Sequence, residues 1–185
     1  MKKTLKLLFF LALPLTLSGQ LTPYSNQYML NPLAINPAFA GNRGILNMTA
    51  FYRKQWVGVK GSPETISLTA DIPFSNNKMG LGLSILNDKL GVTRETQLSS
   101  SYAYKIAMKK GTLSFGLSAG LVMTNTAWSD LIVIDPGDEF ILVDSKVFLV
   151  PTFSFGTWYA GEKYFAGFSV PRLVGYKFDF EKNKY

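Results

Sequence analysis

GTLSFGLSAGLVMT, from Gly111 to Thr124, is the stretch that decides the fold. Leu113, Phe115, Leu117, Ala119, Leu121 and Met123 recur at every second residue, with Ser114, Gly116, Ser118 and Gly120 in the places between. Successive side chains of a strand point to opposite faces, so this run has one apolar face and one face of small or polar groups. Helical spacing gathers neither set. Apolar outside and polar inside is how a strand crosses a membrane in a barrel.

Outward from there the pattern repeats. Ile66, Leu68, Ala70 and Ile72 align in ETISLTADIP, Leu81, Leu83 and Ile85 in KMGLGLSILND, and Leu98, Tyr102, Tyr104 and Ile106 in TQLSSSYAYKI. Further strands are predicted from Ile45 to Val57, Val147 to Tyr159 and Tyr164 to Pro171, with a weaker eighth from Val174 to Phe180. After the N-terminus no apolar run is long enough for a membrane helix. Short connections (FSNN, MKKG, AGEK) alternate with longer ones, namely VGVKGSPE, the LGVT region and Asn125 to Lys146. Outer-membrane barrels have short periplasmic turns and long outer loops, whereas a soluble sandwich has no reason to alternate.

Aromatic residues sit near the predicted strand ends: Phe51, Tyr52, Trp56, Tyr102, Tyr104, Trp158, Tyr159, Tyr164 and Phe165. In a barrel they form girdles at the two interfaces; in a sandwich they are core residues. The last residues are polar in either register, including Lys177, Asp179, Glu181 and Asn183. A membrane barrel must close, because an open edge leaves backbone groups unpaired in lipid. The expectation is therefore an all-β, antiparallel transmembrane barrel of outer-membrane type, in which either the eighth strand is irregular or this chain is the N-terminal part of a larger barrel.

MKKTLKLLFFLALPLTLSG, residues 1–19, reads as a cleavable signal peptide: three lysines, an apolar run from Leu7 to Leu17, then small residues. Removing Lys2, Lys3 and Lys6 with it lowers the formal charge from +7 to +4, with no dense basic run left. That argues against nucleic acid as a partner. Cysteine is absent, which excludes disulfides and thiolate metal sites. Histidine is absent too, and with it the usual base of a Ser or Cys nucleophile. No enzyme activity and no cofactor are expected.

GLSAG, Gly116 to Gly120, matches the G-x-S-x-G pattern, but a nucleophile elbow needs a strand-to-helix turn and a histidine. Ser118 falls mid-strand. The glycines of MGLGLS are read as relief of crowding inside a barrel wall. WSDLIVIDPGDEF and the LVDS after it concentrate acids, among them Asp130 and Asp135 beside Trp128. A solvated outer loop built on Asp-Pro-Gly fits them better than a Ca²⁺ site, since no EF-hand spacing is present.

NPLAINPAFAG, Asn31 to Gly41, cannot form a regular strand or helix, because each Asn-Pro pair holds an extended residue before a rigid one. Yet Met29, Leu30, Leu33, Ile35 and Phe39 are apolar and call for burial. A plug lying inside the barrel satisfies both, since irregular backbone is tolerated where protein surrounds it; a linker to the first strand is the alternative. The domain reading is thus signal 1–19, plug-like segment 20–44 and barrel 45–185. The candidate plug or partner residues are Asn31, Pro32, Asn36, Pro37, Phe39, Gly41, Arg53, Lys54, Trp56, Trp128, Asp130 and Asp135. In YRKQW, Arg53 and Lys54 point to opposite sides of a strand, one lumenal and one outward; either the outward charge only snorkels to headgroups, or Arg53 or Lys54 pairs with acids of the plug or outer loops.

NPLAINPAFAG followed by FYRKQWVGVKGSPETISLTADIP resembles the start of the PorP/SprF family, outer-membrane proteins of the type IX secretion and gliding apparatus of Bacteroidetes-type bacteria. WSDL followed by DPGD is similar to that family as well. The resemblance implies a non-catalytic outer-membrane component that exports or anchors cell-surface proteins, adhesins among them. Its implied partners are their C-terminal sorting domains, periplasmic parts of the machinery and membrane lipid. A passive porin or hydrophobic-solute transporter is the alternative function.

Overall fold

A computed structural model describes residues 29–127 and 147–173 of the chain. The signal peptide, the weak eighth strand and the acidic loop with Trp128, Asp130 and Asp135 lie outside the described residues. Among the described residues seven strands follow in chain order: β1 (Asn47–Lys54), β2 (Glu64–Phe74), β3 (Met79–Leu90), β4 (Thr93–Met108), β5 (Gly111–Thr126), β6 (Phe148–Gly161) and β7 (Phe165–Val170). Each pairs antiparallel with the next in one sheet. Among the described residues β1 and β7 each have one neighbour, so the sheet stays open. It curls into half a barrel.

The period of two in the sequence fixes the register, because a slip of one residue would turn every apolar side chain to the other face. Rows run across the strands on each side. Leu68, Ile85, Leu98 and Leu121 are aligned on the outer face, all of them exposed. Ser84, Ser99, Gly120 and Thr152 are aligned on the inner one. In β5 the exposed positions are Phe115, Leu117, Ala119, Leu121, Met123 and Asn125, whereas Ser114, Gly116 and Val122 are buried. The apolar side thus faces outward, and the interior is small and polar.

Three details differ from the sequence-based expectation. The LGVT region is no loop: β3 runs to Leu90 and β4 starts at Thr93, leaving Gly91 and Val92 as a tight turn with Gly91 at φ 61°. Alternation simply continues through NDKL and TRET, so length went into strand and the long–short rhythm of connections fails there. The first strand is shorter than Ile45 to Val57, because Trp56 takes a left-handed φ of 49° in a turn where the Gln55 N–H donates to Pro63 O. Trp56 is consequently an exposed loop residue outside the sheet. Third, Phe51, Trp158 and Phe165 share the register of inward residues, which removes them from the expected outer girdle. No helix among the described residues is long and apolar enough to cross a membrane.

Candidate functional site

The inner face is occupied at its short-turn end by residues 31–41 of the same chain. Two 3-10 turns, Pro32–Ala34 and Pro37–Phe39, shape this segment, each with its proline at the first position where no N–H is needed. Asn36 caps the second turn, its Oδ1 accepting from the Ala38 N–H at 3.0 Å. The Asn-Pro pairs therefore build a compact hook.

The start and the middle of the hook reach distant strands. Thr69 Oγ1 on β2 donates to Asn31 Oδ1 at 3.0 Å, and Ser169 Oγ on β7 donates to Ile35 O at 2.6 Å. Asn36 Nδ2 donates to Thr157 O at 2.9 Å and to Phe168 O at 3.3 Å, tying the cap to β6 and β7. Leu33, Phe39 and Ala40 are buried with Ala103, and Trp158 packs against them. The Phe39 and Trp158 rings meet edge to face at 5.2 Å, and Trp158 stacks on Phe165 at the same distance. This cluster is why Trp158 turns inward.

Close approach of two backbones requires glycine in the wall. A β-carbon built on Gly80 falls on the Ala40 carbonyl, one on Gly116 on the peptide joining Pro37 to Ala38, and one on Gly156 on Asn36 Oδ1. The wall is thus cut to the outline of the hook. Gly41, at φ 65° and 2.9 Å from the backbones of Ile72, Pro73 and Gly80 to any added β-carbon, ends it.

The Gly41 peptide is held from both sides by buried charges. Asp71 Oδ2 accepts from the Gly41 N–H at 2.9 Å, its Oδ1 accepts from Asn47 Nδ2 at 3.0 Å, and Lys105 Nζ donates to Gly41 O. Asp71 is 2% exposed and Lys105 8%. Hydrogen bonds with a charged member are about twice as strong as neutral ones, and Arg43 lies 5.8 Å above the Phe39 ring as a further contact.

Of the candidate residues, Asn36, Pro37, Phe39 and Gly41 are buried here, and Asn31 and Pro32 are half-buried. Met29 and Leu30 are exposed, contrary to the expectation that all apolar residues of the segment bury, because the hook begins only at Asn31. Arg53 and Lys54 point to opposite faces, Arg53 lining a cavity together with Asn31, Leu33 and Pro37 of the segment, while the acids of residues 128–146 lie outside the described residues. Arg53 Nη2 donates to Thr65 Oγ1 at 3.2 Å, and Lys54 lies 4.0 Å from Glu64 on the outside. Sequence reasoning missed Asp71, Lys105 and Trp158. The signal was present: the alternation that sets Ile72 and Ile106 outside sets Asp71 and Lys105 inside, where lone charges need a partner.

Above the segment, towards the end of the sheet that carries the β1–β2 connection, lies a cavity of about 130 Å³. Ser67, Ser84, Ser99, Ser118 and Ser154 line it together with Arg53. Packed end and hydroxyl-lined end together describe a class: one-sided β-walls that hold a segment of their own chain inside. The family model for the type IX secretion system membrane protein PorP/SprF matches residues 17–185, and the chain belongs to that family. No curated protein and no solved structure matches it.

Proposed function

We propose that this chain is an outer-membrane β-barrel component of the type IX secretion system, with residues 20–44 serving as its plug, and that it works by binding rather than by chemistry. Membership of the family supports the secretion role. The one-sided sheet supports insertion in a bilayer. At about 3.4 Å per residue the outward positions from Leu98 to Met108 span about 34 Å of strand. With a tilt near 40° that covers about 26 Å, the height of the apolar band of such barrels.

The observation that carries the reading is the fit of the hook into glycine-lined wall. A linker has no need of three glycines beneath it or of two buried charges on one peptide. In this reading the hook closes the barrel at the periplasmic end and presents its exposed start, Met29 and Leu30, to periplasmic partners. Cell-surface cargo with C-terminal sorting domains is then exported or anchored through protein contacts.

The test is replacement of Asn31 to Gly41 by a flexible Gly/Ser stretch, with surface display of an adhesin-like cargo measured beside barrel abundance. Display is expected to fail while abundance in the outer membrane holds, because strand pairing starts only at Asn47. Normal display at normal abundance would remove the plug from the mechanism. Lost display with new solute leakage would favour the transporter.

A further inference from the structure

The tip of the β3–β4 hairpin, NDKLGVTRET, sorts its charges by sign. Asp88 and Glu95 are register partners on the inner face, and Lys89 and Arg94 are register partners on the outer face. Like charges directly opposite each other in a sheet repel. Inside, the repulsion is answered within the molecule: Thr65 Oγ1 donates to Asp88 Oδ1 at 2.5 Å and itself receives Arg53, while Arg172 lies 3.7 Å from Glu95. Outside, Glu64 stands opposite Lys89 on the neighbouring strand, whereas Arg94 has no acid beside it in the row among the described residues. Among the described residues neither Lys89 nor Arg94 makes an ion pair, and the single acid of their row, Glu64, has its ion pair with Lys54.

This row is Lys54, Glu64, Lys89, Arg94 and Asn125 across β1 to β5. Exposed Lys60 and Trp56 stand in the connection just beyond it. Its place along the strands is equally informative. The next outward row is Ile66, Asn87, Thr96 and Met123, and the one after that is wholly apolar, Leu68, Ile85, Leu98 and Leu121. Among the described residues this excess of cations thus stands at the border of the apolar band.

We infer that Lys89 and Arg94, with Lys60 in the neighbouring connection, form a docking surface for the phosphate groups of an anionic lipid headgroup. The inference rests on the membrane reading above and adds a specific lipid chemistry to it. A phosphate between two opposed cations removes their repulsion, and the acyl chains below it continue along the apolar rows. Two basic side chains at an anionic surface weigh about thirty-fold in binding.

The experiment uses the full chain in neutral detergent and in phosphatidylcholine vesicles, with phosphatidic acid as probe. Flotation with vesicles comes first: failure of the wild type to insert overturns the membrane reading and this inference with it. Given insertion, native mass spectrometry is expected to show phosphatidic acid bound in preference to phosphatidylcholine. Lys89→Gln with Arg94→Gln should cut that preference by about thirty-fold, while Lys89→Arg with Arg94→Lys keeps it. An unchanged preference in the glutamine pair overturns the inference and leaves the membrane reading standing. Displacement by inorganic phosphate would also overturn it, since the site would then serve a free anion. Arg94→Glu supplies a readout that needs no binding: it pairs with Lys89, so the melting temperature in neutral detergent should rise and its dependence on phosphatidic acid should shrink. A fall in melting temperature there would mean the two cations are not in conflict, which counts against the inference.

Discussion

The two ends of the inner face are built from the same strands and the same alternation, yet they do opposite things. Near the short turns the inward positions are Gly80, Gly116, Gly156, Asp71 and Lys105, and they hold the hook; farther along the same strands they are Ser84, Ser118 and Ser154, and they line a cavity. Gly116 and Ser118 are two residues apart on one strand and on one face. One has backbone against it, the other has space. The difference teaches that the role of an inward residue here is set by its height along the strand, which a face assignment alone does not provide.

The comparison breaks most readily at Gly116. Gly116→Val drives a side chain into the Pro37–Ala38 peptide, and overpacking of this kind costs about 3 kcal/mol. The hook should come away from the wall, read as a lower midpoint in urea and as cleavage within residues 31–41 by added protease. A midpoint equal to wild type would mean that the hook does not rest on Gly116. Next comes Lys105→Met, which deletes the donor to Gly41 O and should cost about 2 kcal/mol, as loss of a charge-assisted hydrogen bond does. Hydrogen exchange at the Gly41 amide is the direct check; protection as strong as in the wild type would show that Asp71 suffices alone. The smallest effect belongs to Ser118→Val, expected within about 0.5 kcal/mol because the side chain enters open space. A large loss there would erase the distinction between the two ends.

Much of the wall was legible because a period of two is a strong signal when one face is apolar. The run Leu113 to Met123 assigns its own outward face, and the pairing of neighbours in chain order follows from short connections. Strand ends were less legible. Nothing in LGVT distinguishes a tight turn from a loop until the register of Lys89 with Arg94 and Leu90 with Thr93 is seen. Trp56 reads as a strand aromatic because a tryptophan in the left-handed region is rare enough not to be expected. For the hook, NPLAINPAFAG announced an irregular apolar piece but not its seat. Which glycines lie beneath it depends on long-range placement, and a glycine in a strand gives the same signal whether it faces a backbone or a void.

The hook also sets a clock on assembly. Asn36 belongs to the earliest part of the described chain, yet its partners Thr157 and Phe168 are 121 and 132 positions further on. Contacts of such separation close late, since the entropy of the intervening loop must be met before they form. Until β7 is laid down, Asn36 Nδ2 has only Thr157 to donate to, and Ile35 O lacks Ser169. A fully seated Asn36 therefore certifies that synthesis and pairing have run through β7, and an unseated one marks a wall still under construction.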